Sequence, residues 1–173
     1  LLHDTDYSNA ATASITSGID STYGEYIFKF YNINAATDNV KLTFQANATD
    51  STSYDETITS VSFGAFHLED NSSVQLSYLT GNDQAQGTAF QMLSYDMGNG
   101  ADESSAGELH LFNPASTTYV KHWYSRTTDN AFNDKCNDSF FAGYFNTTTA
   151  IDDIQFKMSS GNFDGTIKMW GVK

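Results

Sequence analysis

Short runs of alternating apolar and polar residues, repeated along nearly the whole chain, limit what this sequence can become more than any other feature. Tyr26, Phe28 and Phe30 alternate with Ile27, Lys29 and Tyr31, and Val40, Leu42 and Phe44 alternate with Lys41, Thr43 and Gln45. Successive side chains of a strand point to opposite faces, so a period of two predicts β-strands with one face in a core. No helix-length period of 3.6 interrupts the pattern. The single proline is Pro114, so Gly, Asn, Asp and Ser must make the turns.

Further strands are predicted at Val61–Leu68 and Val74–Leu79, joined as a hairpin by Glu69-Asp70-Asn71-Ser72, and then at Phe90–Met97, Glu108–Phe112, Tyr119–Arg126 and Phe140–Phe145. Polar loops are expected at Asn47–Glu56 and Thr127–Ser139. In the last stretch, Ile151–Lys173, Ile154, Phe156 and Met158 are followed by the turn-rich Ser160-Gly161-Asn162-Phe163-Asp164-Gly165 and then by Ile167 and Met169, which reads as a β-hairpin. About ten short strands at this spacing predict an all-β fold, a two-sheet antiparallel β-sandwich of jelly-roll-like form. Residues 1–21 read as an arm or weak first strand anchored by Ile15 and Ile19, and residues 22–173 as one sandwich domain. The opening Leu1-Leu2, where a start would place Met, suggests a trimmed chain or a piece of a longer polypeptide.

Charge and cysteine content exclude several classes. The formal net charge of -13 would repel a phosphate backbone, which is bound by clustered Lys and Arg, so nucleic acid is not an expected partner. No apolar run approaches the roughly 20 residues that cross a bilayer, and no charged-then-apolar signal peptide opens the chain. Cys136 is the only cysteine, so no internal disulfide can form. It lies in a polar stretch with no neighbouring base, a poor setting for a nucleophile.

No reaction chemistry stands out. His3, His67, His110 and His122 show no metal-ligand spacing; His110 with Glu108 on one strand face, or His122 beside Arg126, could form a small polar cluster, but a solvated sheet face is the expected reading of both. The acidic pairs Glu69-Asp70, Asp102-Glu103 and Asp152-Asp153 read as solvated turns; a glycosidase needs two carboxylates set a defined distance apart across a cleft. Loop Asp and Asn oxygens suit calcium, but no DxDxDG run is present. The expectation is a non-enzymatic protein with no cofactor and no metal. Tyr31, Phe66, Tyr95, Phe112, Tyr124 and Trp170 fall in the phase opposite to the presumed core, more rings than a solvated sheet face needs. Tyr31, Trp123, Tyr124 and Trp170 are therefore candidates for a subunit interface or for stacking on sugars.

Three stretches carry a family resemblance. They are Thr16–Tyr23 running into Tyr26–Ile33, Gly107–Pro114, and Ala150–Asn162 with the closing Gly165–Val172. In these the chain resembles the β-sandwich domain of virion structural proteins from marine tailed bacteriophages, including cyanophage-like and pelagiphage-like viruses. The similarity covers most of the chain from Thr16 onward, and its most specific part is the Gly-Val-type terminus. Where Pro often follows the family's first strong strand, this chain has Asn34-Ala35-Ala36-Thr37. The resemblance implies a virion component on the head surface, a fibre or the tail, which meets symmetry mates, expected as a homotrimer, and other virion proteins. The rival expectation, of a different class, is a carbohydrate-binding module or receptor-binding tip in which rings such as Trp123, Tyr124 or Trp170 stack on a host glycan.

Overall fold

A computed structural model describes all residues, Leu1–Lys173, as thirteen strands: β1 (His3–Ala10), β2 (Ala13–Ile15), β3 (Glu25–Ala35), β4 (Leu42–Ala48), β5 (Ile58–Leu68), β6 (Val74–Tyr78), β7 (Ala85–Gly87), β8 (Gln91–Met92), β9 (Ser105–Phe112), β10 (Lys121–Ala131), β11 (Lys135–Phe145), β12 (Ile151–Met158) and β13 (Phe163–Val172). They form two antiparallel sheets. The larger has nine strands in the order β1-β13-β3-β9-β10-β11-β5-β6, with β7 also on β5, and the smaller runs β2-β12-β4-β8. The fold is thus the all-β sandwich that alternation predicts, and the chain crosses repeatedly from one sheet to the other.

The core between the sheets is aromatic. Phe28 and Phe30 from β3 pack on Phe156 of β12 at ring-centroid distances of 5.6 and 5.2 Å, and Phe44 of β4 meets Trp123 edge-on at 5.0 Å. Buried rings at these separations contribute beyond their area.

Several expectations need correction. The terminal hairpin does not form: β12 pairs with β2 and β4, whereas β13 pairs with β1 and β3. Four residues, 159–162, carry the chain across the roughly 10 Å between stacked sheets. Ile154, Phe156 and Met158 therefore face Ile167 and Met169 across the core instead of lying beside them. Alternation gives the same pattern for two strands side by side and for two strands face to face. Thr127–Ser139 is not a loop: β10 and β11 run through it in continuous register, turning at 132–134 with Asp134 at φ 54°. Of Phe90–Met97 only Gln91–Met92 is a strand, and the rest is buried irregular chain.

The first residues supply an edge strand to each sheet, with Ile15 and Ile19 buried. Within β3 a bulge sets Ile33 and Asn32, φ 50°, opposite the single residue Gly165 of β13, φ 137°. A Cβ there would come within 2.8 Å of the Asn32 carbonyl oxygen, so only glycine fits.

Candidate functional site

The outer face of the nine-stranded sheet is uncovered by the second sheet, and strand register arranges its side chains in rows. One row reads Asp4, Lys168, Lys29, Glu108, Arg126, Phe140, Phe63 and Tyr78; the next reads Trp170, Ile27, His110, Tyr124, Ala142 and Val61. The first row therefore passes from charged residues to apolar ones toward the β6 edge, whereas the second is apolar at both ends with His110 and Tyr124 between.

At the charged end, Lys168 donates to Asp4 at 3.0 Å, Lys29 lies 3.5 Å from Glu108, and Arg126 makes a two-point contact with Asp138 at 3.0 and 2.8 Å. These pairs are exposed and fix little beyond side-chain direction.

The middle of the face holds the one dense polar cluster. His110 donates from Nδ1 to Glu25 at 2.6 Å, while its Nε2 lies 3.3 Å from Glu108 without the alignment of a hydrogen bond. Tyr124 stacks on the imidazole at 4.5 Å, and Phe112 flanks both rings. Burial would raise the Glu108 carboxyl, but its contact with His110 and the neighbouring Lys29 hold it below the usual range. Burial, then Glu25 and Glu108, push the Tyr124 hydroxyl up. Glu108 and His110 thus come together with Glu25, distant in sequence, around a buried imidazole where a solvated sheet face is expected. His122 meets Tyr144 and Arg126 turns to Asp138, so these two form no cluster, as a solvated face predicts.

At the β6 edge, Val61, Phe63, Val74, Leu76 and Tyr78 are exposed, and Phe63 stacks on Phe140 at 4.8 Å. Leu76 is 76% and Val74 65% exposed. The strand Val74-Gln75-Leu76-Ser77-Tyr78 carries no charge, and its outer backbone edge has no partner strand. This is an apolar corner of unusual exposure for an isolated chain.

The end of the sandwich where β3 begins carries a trough of about 950 Å³. Its walls come from three loops, with Ser21 and Tyr23, Asn113 to Val120, and Thr148 contributing beside Phe112 and His122. Through Phe112 and His122 it continues into a hollow of about 390 Å³ along Tyr124 and Tyr144. The walls are tied together. Asn113 N–H donates to the Gly24 carbonyl at 2.8 Å and Ile151 N–H to the Pro114 carbonyl at 2.9 Å. The fully buried Lys121 donates from Nζ to the carbonyls of Tyr119 and Thr147, each at 3.0 Å, linking two of the loops. Burial depresses the pKa of that ammonium, with Glu56 opposing.

Of the four candidate rings, Tyr31, Tyr124 and Trp170 lie on this outer face. Trp123 does not: it is 2% exposed, wedged between Phe44 and Phe145, and cannot meet a ligand or a partner. Phe66 and Tyr95 are also misplaced by the simple phase argument; both turn inward, where Lys135 lies over their rings. Tyr119, 73% exposed, lies in the loop before β10, because the strand that alternation places at Tyr119–Arg126 begins only at Lys121. Cys136 is exposed, with Thr128 Oγ1 at 3.9 Å. Glu103 bonds the Gly100 N–H and Asp70 the Ser72 N–H, as turn acids do. Asp152 and Asp153 lie on β12, where burial and the Asp153 charge raise the Asp152 pKa.

No protein-family model and no curated protein matches the chain. Among solved structures, a crystal structure of a protein of unknown function from Bacteroides ovatus is similar over 61% of this chain and 45% of its own length, at 7% identity and a TM-score of 0.32. The chain thus spans less than half of that protein.

Proposed function

We propose that the chain is a non-enzymatic structural protein of a tailed-phage virion, a β-sandwich that assembles on the particle as a homotrimer and against other virion proteins. The observation that carries the assembly reading is the apolar corner of β5, β6 and β11. An uncharged edge strand with Val74, Leu76 and Tyr78 in water is a liability that association removes. Carboxylates stand only at its rim, where Asp83 accepts from the Tyr78 hydroxyl and Asp138 is held by Arg126. The virion placement is supported by the resemblance of Thr16–Ile33, Gly107–Pro114 and the C-terminal stretch.

Antibodies raised against the chain should label purified virions of the phage that encodes it, and label confined to the soluble lysate would overturn the placement. In sedimentation the chain should associate to a trimer as concentration rises. Leu76→Glu, at a position already in water, should weaken that association by roughly tenfold or more while leaving the fold intact.

A further inference from the structure

Tyr119 presents most of its ring to water, yet its backbone is pinned on both sides. Its N–H donates to Ser116 Oγ at 3.1 Å, and its carbonyl accepts from the buried Lys121 ammonium at 3.0 Å. Ser116 Oγ also accepts from the Thr118 N–H at 3.2 Å, so the loop beneath the ring is locked before any ligand arrives. A large apolar surface held out on fixed backbone is costly for an isolated protein. It is suited to a binding platform, because little ordering entropy remains to be lost on association.

The chemistry around that ring narrows the ligand. Phe112, Tyr23 and Tyr119 supply ring surface, while Asn113, Ser21, Ser116, Thr118, Thr148 and His122 supply hydroxyl, amide and imidazole groups. None of the trough's side chains is a carboxylate, an ammonium or a guanidinium. An anionic ligand would enter against the net charge of -13 with no local cation to meet it. A cation would find no carboxylate in the walls. What fits is a neutral molecule with flat C–H faces for the rings and hydroxyls for the polar groups.

We propose that the trough between Tyr23, Phe112 and Tyr119 is a binding site for a neutral saccharide, with Tyr119 as the stacking platform and Asn113 and His122 as hydrogen-bonding partners at its floor. The adjoining hollow past Tyr124 and Tyr144 extends the site for further sugar units along the sheet. This site is separate from the apolar corner at β6.

The test is affinity electrophoresis of the full chain through gels containing a mixed-linkage β-glucan, xylan, galactomannan or dextran, with polygalacturonate as a charged control. Titration calorimetry with the hexasaccharide of the best neutral polymer then gives the affinity. At least one neutral polymer should retard the chain. Tyr119→Ala, which removes an exposed ring, should weaken binding by roughly tenfold or more, and Tyr119→Phe should stay within about twofold of the parent. No retardation by any of the four neutral polymers would overturn the proposal, as would preference for polygalacturonate. Binding that is unchanged in Tyr119→Ala would remove it from this trough. Trimer formation and virion labelling should be indifferent to Tyr119→Ala, so failure here is distinguishable from failure of the assembly reading.

Discussion

The two halves of the inner face of the nine-stranded sheet are buried in opposite ways. Beneath the four-stranded sheet, β13, β3 and β9 turn Ile167, Met169, Phe28, Phe30, Leu109 and Leu111 toward Ile154, Phe156 and Phe44. Farther along, β10, β11 and β5 turn Ser125, Thr127, Asp129, Asn137, Ser139, Ser60 and Ser62 inward, and these are equally buried. What covers them explains the difference. A facing sheet has already paired its backbone and offers only side chains, but the second half is covered by the chain between residues 79 and 97, which is irregular apart from the short β7 and β8. Its carbonyls need donors. The sheet supplies them: Ser62 Oγ donates to Leu79, Thr127 Oγ1 to Leu93, and Asn137 Nδ2 to Tyr95. One half is held by packing, the other by hydrogen bonds that fix a loop, and several polar atoms there, among them Ser125 Oγ, Ser139 Oγ and Asp129 Oδ2, find no partner.

The sharpest way to break the comparison is to cut a ring from the packed half. Phe156 is fully buried and touches Phe28, Phe30 and Phe44. Phe156→Ala should cost about 3–5 kcal/mol, the range for a large core ring replaced by a cavity. Urea unfolding measures it. A loss below about 1 kcal/mol would mean that the two halves share the load more evenly than their chemistry suggests.

The same division decides what could be read from the chain. Strands over the packed half alternate cleanly, because their inward residues are apolar, and Tyr26–Tyr31 or Ile154–Met158 announce themselves. The inward residues of β10 and β11 between Ser125 and Phe141 are Thr127, Asp129, Ala131, Lys135, Asn137 and Ser139, nearly all polar, so the pattern vanishes and two strands read as the loop Thr127–Ser139. The segment 93–97 misleads in the other direction: it is apolar because it is buried, although it forms no strand. Arch and hairpin are indistinguishable at β12 and β13, since strand period carries no information about which sheet a strand joins. The candidate sites divide along the same line. Tyr124, Tyr31 and Trp170 follow from strand phase, whereas Glu25 beside His110, and the Tyr119 trough, depend on elements brought together from distant parts of the chain.

A second effect tests the hydrogen-bonded half through its titration. Asp129 lies opposite Asn137, whose Nδ2 donates to it at 2.9 Å. Burial raises the Asp129 pKa from 3.8 to about 7, with Asp96 adding to the rise while Asn137 and Lys135 oppose it. The folded state therefore holds a proton that the unfolded chain has released. This places a loss of stability between pH 3.8 and about 7 as pH rises, constant above that range. From pH 5 to pH 8 Asp129 should lower stability by on the order of 2–3 kcal/mol. Asn at this position can accept from Asn137 and also donate to its unpartnered Oδ1. Asp129→Asn should flatten that part of the profile and be the more stable form at pH 8. Parallel profiles for the two proteins would show that Asp129 is ionised throughout and that water reaches this half.

The smallest effect sharpens the contrast by removing one donor from beneath the loop. Ser62 is fully buried and its hydroxyl donates to the Leu79 carbonyl at 2.9 Å, while the Leu79 N–H returns a bond to the Ser62 carbonyl at 3.0 Å. Ser62→Ala leaves the backbone bond and the volume nearly intact and removes one of two donors to the Leu79 carbonyl, which keeps the Asn82 N–H at 3.1 Å, so global stability should fall by only about 1 kcal/mol. The informative readout is local. Amide exchange should quicken in residues 79–83 well before it changes at Phe28 or Phe44, because a loop held by hydrogen bonds opens on its own while packed strands open only with the whole core. Equal acceleration in both places would instead make the covering segment a cooperative part of the core, held by Leu93, Tyr95 and Met97 rather than by its carbonyls.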